Sequence, residues 1–284
     1  MKYNEEWRDY RVLATGGGMK LERWAEYVLL RPDPQIIWPA ATDLRKYRGL
    51  SGVYERINGG GKWNMLKPVP DNFTVSWRNL TFSLKLMGFK HTGLFPEQAY
   101  NWDKMIRLIE GAGREIRVLN LFAYTGGASV ACASAGAEVC HVDAAKAMVE
   151  RAKENMRLSG LANAKVRYIV DDCVQFCQRE LRRGKTYDAI IMDPPSFGRG
   201  PKGEVWKIEE NVFGLVELAA KLLSDKPLFF LINSYTTGLQ PTVMSNVLSV
   251  ALGNRGRIES YEIGLPTMEK GVLLPCGASA ICEF

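Results

Sequence analysis

Arg117-Val118-Leu119-Asn120-Leu121-Phe122 is followed at once by a turn that ends on Gly126-Gly127, and then by the small-residue stretch Ala128–Ala135. A compact apolar run that meets a Gly pair and then a helical segment reads as buried strand, tight turn, helix. The alternation repeats toward the end of the chain. Glu138-Val139-Cys140-His141-Val142-Asp143 reads as a second strand, followed by an amphipathic helix over Lys146–Ser159. Val166-Arg167-Tyr168-Ile169-Val170 is the third, with helix 174–183 after it. Asp188-Ala189-Ile190-Ile191-Met192 is the fourth, with a helix near 205–223, and Leu228-Phe229-Phe230-Leu231-Ile232 the fifth, with helix 241–252. Strands near 257–263 and 278–284 close the chain. Alternating strand and helix predict an α/β fold with a mostly parallel sheet and helices on both faces.

Residues 1–90 differ. Turn signals crowd them: Gly16-Gly17-Gly18, Arg31-Pro32-Asp33-Pro34, Asn58-Gly59-Gly60-Gly61 and Pro68-Val69-Pro70-Asp71. Between them lie short runs of strand character, at Tyr27–Leu30, Gly52–Arg56 and Phe73–Trp77. The expectation is a small, mostly β domain over 1–90, with a soft boundary in 85–105 and the α/β domain over 91–284. The basic excess sits here too: residues 1–100 carry 15 Lys and Arg against 10 Asp and Glu, and the remainder 22 against 21. Trp7, Trp24, Trp38, Trp63 and Trp77 share this region. Basic side chains beside aromatics suit nucleic acid; the same tryptophans also suit the core of a small β domain.

The chain has 284 residues, 46% hydrophobic and 24% charged, the balance of a globular protein. No run approaches the roughly 20 apolar residues of a spanning helix. The polar start Met1-Lys2-Tyr3-Asn4-Glu5-Glu6-Trp7 lacks an apolar signal core, so a cytoplasmic protein without membrane attachment is expected. Cys132, Cys140, Cys173, Cys177, Cys276 and Cys282 show neither a disulfide framework nor zinc spacing, and the histidines are His91 and His141 alone. This disfavours a metal centre and a Ser-His-Asp triad. Cys173 and Cys177, four apart, predict buried packing on one helix face.

In an open α/β sheet, ligands bind outside the carboxyl ends of the strands. Four motifs stand there in succession. Asn120-Leu121-Phe122-Ala123-Tyr124-Thr125-Gly126-Gly127 ends the first strand and opens a helix, where missing side chains and helix N-terminal N–H groups let a ligand approach. It is not Gly-x-Gly-x-x-Gly, which counts against a dinucleotide. Asp143 ends the second strand and suits either a ribose diol or a helix cap. Asp171-Asp172 ends the third; a carboxylate there suits an adenine amino group or, again, a cap. Asp193-Pro194-Pro195-Ser196-Phe197 ends the fourth. Two prolines remove two N–H donors and leave acceptors. Such a turn can hold a nitrogen with its lone pair aimed at an electrophile, and Phe197 can stack on a planar group.

These motifs, in this order and spacing, resemble the class I S-adenosylmethionine-dependent methyltransferases, and among them the bacterial 23S ribosomal RNA large-subunit methyltransferases. The resemblance covers roughly residues 88–284. His91-Thr92-Gly93-Leu94-Phe95-Pro96-Glu97-Gln98 is similar to that family's Lys-Thr-Gly-x-x-x-x-Gln element. The resemblance implies a Rossmann-like sheet of seven strands, the last antiparallel. It implies S-adenosyl-L-methionine as cofactor, with S-adenosyl-L-homocysteine as product and no metal. Cofactor contacts would come from Phe95, Gln98, Asn120, Phe122, Tyr124, Thr125, Gly126, Gly127, Asp143, Asp171, Asp172 and Asp193. Asp193, Pro194, Pro195 and Phe197 would form the reaction centre, with Ser196, Phe197 and Tyr235 on the acceptor. Relatives that methylate cytosine C5 need a cysteine nucleophile. Neither 193–197 nor Leu231-Ile232-Asn233-Ser234-Tyr235 holds one, which favours a nitrogen target. The expected partner is RNA, bound by a monomer or homodimer. A protein or small-molecule acceptor, and a non-catalytic nucleic-acid-binding module, stay open.

Overall fold

The computed structural model describes residues 1–57, 60–86, 91–199, 205–253 and 255–284. The Asn58-Gly59 part of the third turn signal and residues 87–90 at the expected domain boundary lie outside them. The chain divides into two compact units. One comprises Met1–Lys2, Tyr100–Ile263 and Gly277–Phe284; the other comprises Tyr3–Ala99 and Gly264–Cys276.

The second unit is mostly β. Strands β1 (Tyr10–Gly16), β2 (Met19–Trp24), β3 (Tyr27–Pro32), β4 (Leu50–Ile57) and β5 (Gly60–Met65) form one sheet in chain order. Strands β6 (Phe73–Trp77) and β7 (Leu80–Leu84) pair as a hairpin. The β1–β2 turn needs its glycines: Gly17 and Gly18 hold φ of 60° and 76°, the left-handed geometry of a two-residue hairpin loop. Leu21, Val28, Leu30, Leu44, Leu50 and Val53 form an apolar cluster. Trp7, Trp24 and Trp77 are buried, and Trp7 and Trp77 spend their indole N–H groups on the Pro96 carbonyl and the Asn4 side chain. These rings are core, not a stacking surface. Trp38 and Trp63 are half-buried, Trp38 bonded to Thr15 and Trp63 packed edge-on to Tyr54.

The unit boundary differs from the expected division at 90/91. Residues 91–99 and 264–276 fall with the N-terminal unit because of long-range pairings. Besides Trp7 with Pro96, Met268 donates its N–H to the Val12 carbonyl, and the Glu269 carboxylate takes both the N–H and the hydroxyl of Thr15. Partners 254 residues apart leave no local pattern in a sequence.

The larger unit carries α1 (Ala99–Gly111), β8 (Arg117–Leu121), α2 (Gly127–Ser134), β9 (Glu138–Asp143), α3 (Lys146–Leu158), β10 (Val166–Val170), α4 (Cys173–Arg182) and β11 (Ala189–Met192). A short hairpin follows, β12 (Phe197–Arg199) with β13 (Val205–Lys207), then α5 (Ile208–Ala220), β14 (Phe229–Ser234), α6 (Pro241–Leu252), β15 (Arg257–Pro266) and β16 (Leu273–Glu283). The seven-stranded sheet runs β10-β9-β8-β11-β14-β16-β15. Its first five members pair in parallel, and β16, the last in sequence, lies antiparallel on β14.

The central strands β11 and β14 are buried on both faces because helices cover both. Leu119, Leu121, Ile190 and Met192 pack with Phe176 of α4, Val212 and Leu215 of α5, and Met244 and Leu248 of α6. The opposite face meets α2 and α3. Strand order reverses at β8, where β9 continues to one side and β11 to the other. Such a reversal splays the connecting helices apart and opens a crevice at the strand ends.

Two elements depart from expectation. The helix expected near 205–223 begins only at Ile208, because Val205-Trp206-Lys207 pairs with Phe197–Arg199 as a strand. Helix α1 lies in a stretch read only as a boundary. Its buried Trp102, Met105 and Ile109 recur at three- and four-residue spacing, a period the sequence does display.

Candidate functional site at the carboxyl ends of the strands

The turn after β8 is strained and pinned. Phe122 and Tyr124 hold φ of 55° and 50°, and Gly126 holds 83°. Two non-glycine residues in that region cost on the order of 1–3 kcal/mol each and persist only where neighbours enforce them. The enforcing bonds come from β9. The Ala123 N–H donates to the Val142 carbonyl at 3.0 Å, and the Tyr124 N–H to Asp143 Oδ2 at 2.7 Å. Asp143 Oδ1 accepts the Ala145 N–H at 2.8 Å, just before α3. Asp143 therefore ties two strand-end loops together with one oxygen each, and each oxygen keeps lone-pair capacity. Burial raises its pKa against the pull of those two N–H groups.

Gly126 and Gly127 serve protein packing. A Cβ on Gly126 would stand 2.8 Å from the Ala152 Cβ, and one on Gly127 would stand 2.6 Å from the Trp102 ring. The glycines thus let α3 and α1 close on the turn, which leaves the first N–H groups of α2 at the strand ends. Asn120 is buried beneath. Its amide donates to Ser129 Oγ at 2.9 Å, and Ser129 lies 2.9 Å from His141 Nδ1. Burial pushes the His141 pKa down to about 4, so the ring is neutral at pH 7. Thr125 is buried too, its carbonyl accepting from Asn155 at 2.8 Å.

At the end of β10 both carboxylates have protein partners. Asp172 caps α4, with Oδ1 accepting the Gln175 N–H at 2.9 Å. Asp171 pairs with Arg179 and accepts the Asp172 N–H.

The fourth motif leaves β11 next to β8, where the Asp193 N–H donates to the Leu121 carbonyl. Pro194 is buried; Pro195, Ser196 and Phe197 are exposed. The Pro195 carbonyl accepts the Trp206 indole N–H at 2.7 Å, and the Ser196 carbonyl accepts the Ile208 N–H at 3.1 Å. The Ser196 hydroxyl lies 2.6 Å from that of Thr236, just past β14. The Trp206 ring centroid stands 5.1 Å from that of Phe122. Tyr235 follows β14, and a Cβ on Gly277 would stand 3.0 Å from its ring, so glycine makes room for it.

Strand ends of one sheet thus bring together Phe122, Tyr124, Gly126, Asp143, Asp171, Asp172, Asp193 to Phe197 and Tyr235. Asn120 lies below them in the buried polar chain. Phe95 and Gln98 belong to the other compact unit, where Phe95 precedes a short 3-10 turn, Pro96–Gln98, and Gln98 is buried. Trp206 and Thr236 escaped the sequence reading; Trp206 lay inside the helix expected near 205–223. Cys132, Cys140, Cys173, Cys177 and Cys282 are buried, and burial raises every cysteine's pKa, to about 12 for Cys132 and Cys177. Among the described residues no cluster of His, Cys, Asp and Glu is placed to hold a metal ion, and no helix is long and apolar enough to cross a membrane.

Fold and site together define a doubly wound α/β protein whose motif residues gather at the strand ends by the reversal point of its sheet. Its residues 41–233 match the family model described as S-adenosylmethionine-dependent methyltransferase. The chain belongs to that family. The crystal structure of a SAM-dependent methyltransferase from Agrobacterium tumefaciens is similar over 99% of this chain and 92% of that one, at 33% identity and a TM-score of 0.94. A putative SAM-dependent methyltransferase from Streptococcus mutans shares the fold at 20% identity, with a TM-score of 0.75 over 98% of this chain and 76% of that one. The ribosomal RNA large subunit methyltransferase K/L of a Shewanella strain is 30% identical over 195 residues, 68% of this chain. The chain spans 27% of that relative's length.

Proposed function

We propose that this chain transfers a methyl group from S-adenosylmethionine to a ring or amino nitrogen of RNA. The carrying observation is the Asp193-Pro194-Pro195 turn, which leaves β11 hydrogen-bonded to the end of β8, beside the pinned Asp143 loop. The residues fit the cofactor. Asp143 keeps lone pairs for a ribose diol after bonding Tyr124 and Ala145. Asp172 offers an acceptor for the adenine amino group from the lip of α4, and Phe122, Tyr124 and Gly126 form the wall between them. Asn120 and Thr125 act from below, by holding that wall. Asp171 supports the same loop through Arg179. When bound, the cofactor supplies an electrophilic methyl on a sulfonium that leaves without acid assistance.

The chain's own residues then have three tasks. Asp193 and the Pro194 carbonyl accept hydrogen bonds from the acceptor nitrogen, orienting its lone pair and giving its proton a route out. Ser196 and Tyr235 flank the acceptor. The apolar ring and proline surfaces exclude water from the line of transfer. A nitrogen target agrees with thiols held protonated by burial. RNA as acceptor draws support from the name of the Shewanella relative and from the basic N-terminal hundred residues.

The test is tritium transfer from labelled cofactor into RNA, protein and metabolite pools of a deletion strain. Label in RNA supports the reading; label confined to the other pools ends it. Asp193→Ala should lower transfer at least about 100-fold while calorimetry with S-adenosylhomocysteine changes little. Wild-type protein that binds RNA yet never consumes cofactor would point instead to a binding module.

A further inference from the structure

We propose that Trp206, rather than Phe197, is the ring on which the acceptor stacks, so that the site selects flat heteroaromatic acceptors over aliphatic amines. This rests on the methyl-transfer reading of the same strand ends and adds a specificity residue to it.

The argument starts from the β12–β13 ribbon. Gly198 pairs with Trp206, and Phe197 with Lys207. Residues directly opposite one another share a face, and successive residues alternate faces. Trp206 and Gly198 therefore occupy one face, Phe197 and Lys207 the other. The Trp206 face is the one turned to the site, because its indole N–H bonds the Pro195 carbonyl and its ring meets Phe122 at 5.1 Å and 53°. Phe197 is 57% exposed.

Trp206 is also prepared for binding. Its N–H bond fixes the ring's orientation before any ligand arrives, and a side chain with two rotatable bonds loses little further entropy. Phe122, the other ring, is held by a backbone with φ of 55°. Across the ribbon, Gly198 leaves the shared face bare. A Cβ there would make only ordinary contacts, 3.6 Å from Pro195 and 3.8 Å from Trp206, so packing does not demand glycine. An oriented indole beside the acceptors of the Asp193-Pro194-Pro195 turn suits a planar ring that carries a nitrogen at its edge. An aliphatic amine would gain the acceptors but no ring-on-ring stacking.

Two variants separate stacking from mere support of the turn. Trp206→Phe keeps a ring and loses the N–H; Trp206→Leu loses both. With RNA from the deletion strain as acceptor, stacking predicts that Leu raises KM about tenfold or more while Phe stays within about threefold, kcat moving little in either. S-adenosylhomocysteine affinity, read by calorimetry, should match wild type in both. Equal losses in the two variants would assign Trp206 to holding the Pro195 carbonyl alone and overturn the proposal. Wild-type KM in both would overturn it as well. Should Trp206→Leu fail to bind S-adenosylhomocysteine, Gly198→Leu decides the matter. It fills the space beside the indole and should raise KM with cofactor affinity unchanged; an unaltered KM overturns the proposal. If tritium appears only in protein or metabolite pools, the RNA reading fails separately, and the same KM comparison on the labelled pool still decides the role of Trp206.

Discussion

The two compact units each bury a paired carboxylate but differ in where the rest of their polarity lies. In the unit of residues 3–99 and 264–276, full charges lie inside. Glu22 is completely buried, accepts from Tyr10 at 2.7 Å, and takes two bonds from Arg31 at 2.6 and 2.9 Å. Burial opposes its ionisation, yet Arg31 and Lys20 hold its pKa down to about 2. In the sheet unit Glu180 is buried as well, bonded by Tyr187, Arg167 and Arg183, while the chain Asn120–Ser129–His141 is buried and uncharged at pH 7, and Asp143, Asp172 and Asp193 collect at the strand ends. The difference is one of task. The small β unit adds a paired charge cluster and inward-turned tryptophans to its aliphatic core. The doubly wound sheet keeps its buried pair at α4 and gathers further carboxylates at its strand ends.

That contrast can be broken. Arg31→Met removes the principal partner of a buried carboxylate and should cost about 3–5 kcal/mol in urea unfolding. Amide exchange should place the loss in β2 and β3; a loss under 1 kcal/mol would mean the cluster is not what holds that unit.

Acid should then separate the two units. His141 titrates at about 4 when folded, below its ordinary 6.5. The unfolded chain therefore binds the extra proton first, and stability falls as pH drops from about 6.5 to 4, by about 3 kcal/mol in the sheet unit. Glu22 is depressed too, so its contribution is present above about 4.5 and is lost only as pH falls toward 2. Exchange measured across this range should loosen α2 and β9 before β2 and β3. His141→Gln should flatten the upper part of the profile.

Gly126→Ala forces a Cβ onto Ala152 at a left-handed position and should cost about 1–3 kcal/mol, with S-adenosylhomocysteine affinity falling alongside stability. The smallest effect sharpens the role of Asp172. Asp172→Ala should cost about 1 kcal/mol through the lost cap, and Asp172→Asn much less, since Asn caps as well. If the second oxygen takes the adenine amino group, both variants weaken cofactor binding by calorimetry; if Asp172 only caps α4, neither does.

Much of the sheet was legible in the sequence because its strands are continuous apolar runs between helical stretches, and β9 and β10 begin and end where the pattern places them. The small strands β1, β2, β5 and β7 were not, since alternation over five to seven residues among glycines and charges carries little signal. Trp206 was hidden for a related reason. Val205-Trp206-Lys207 reads as the start of the helix behind it, and only pairing with Phe197–Arg199 makes it a strand.

The sequence by itself determined the order of strands and helices and the four motifs at successive strand ends, because each of these is local. The tertiary structure decided the rest. It showed that Gly126 and Gly127 yield space to Ala152 and Trp102, that Asp143 pins the turn it was expected only to neighbour, and that the ribbon turns Trp206 toward the Asp193-Pro194-Pro195 turn and Phe197 away. Close packing, hydrogen bonds between distant residues and the facing of side chains on a paired strand depend on neighbours far along the chain, and no local pattern encodes them.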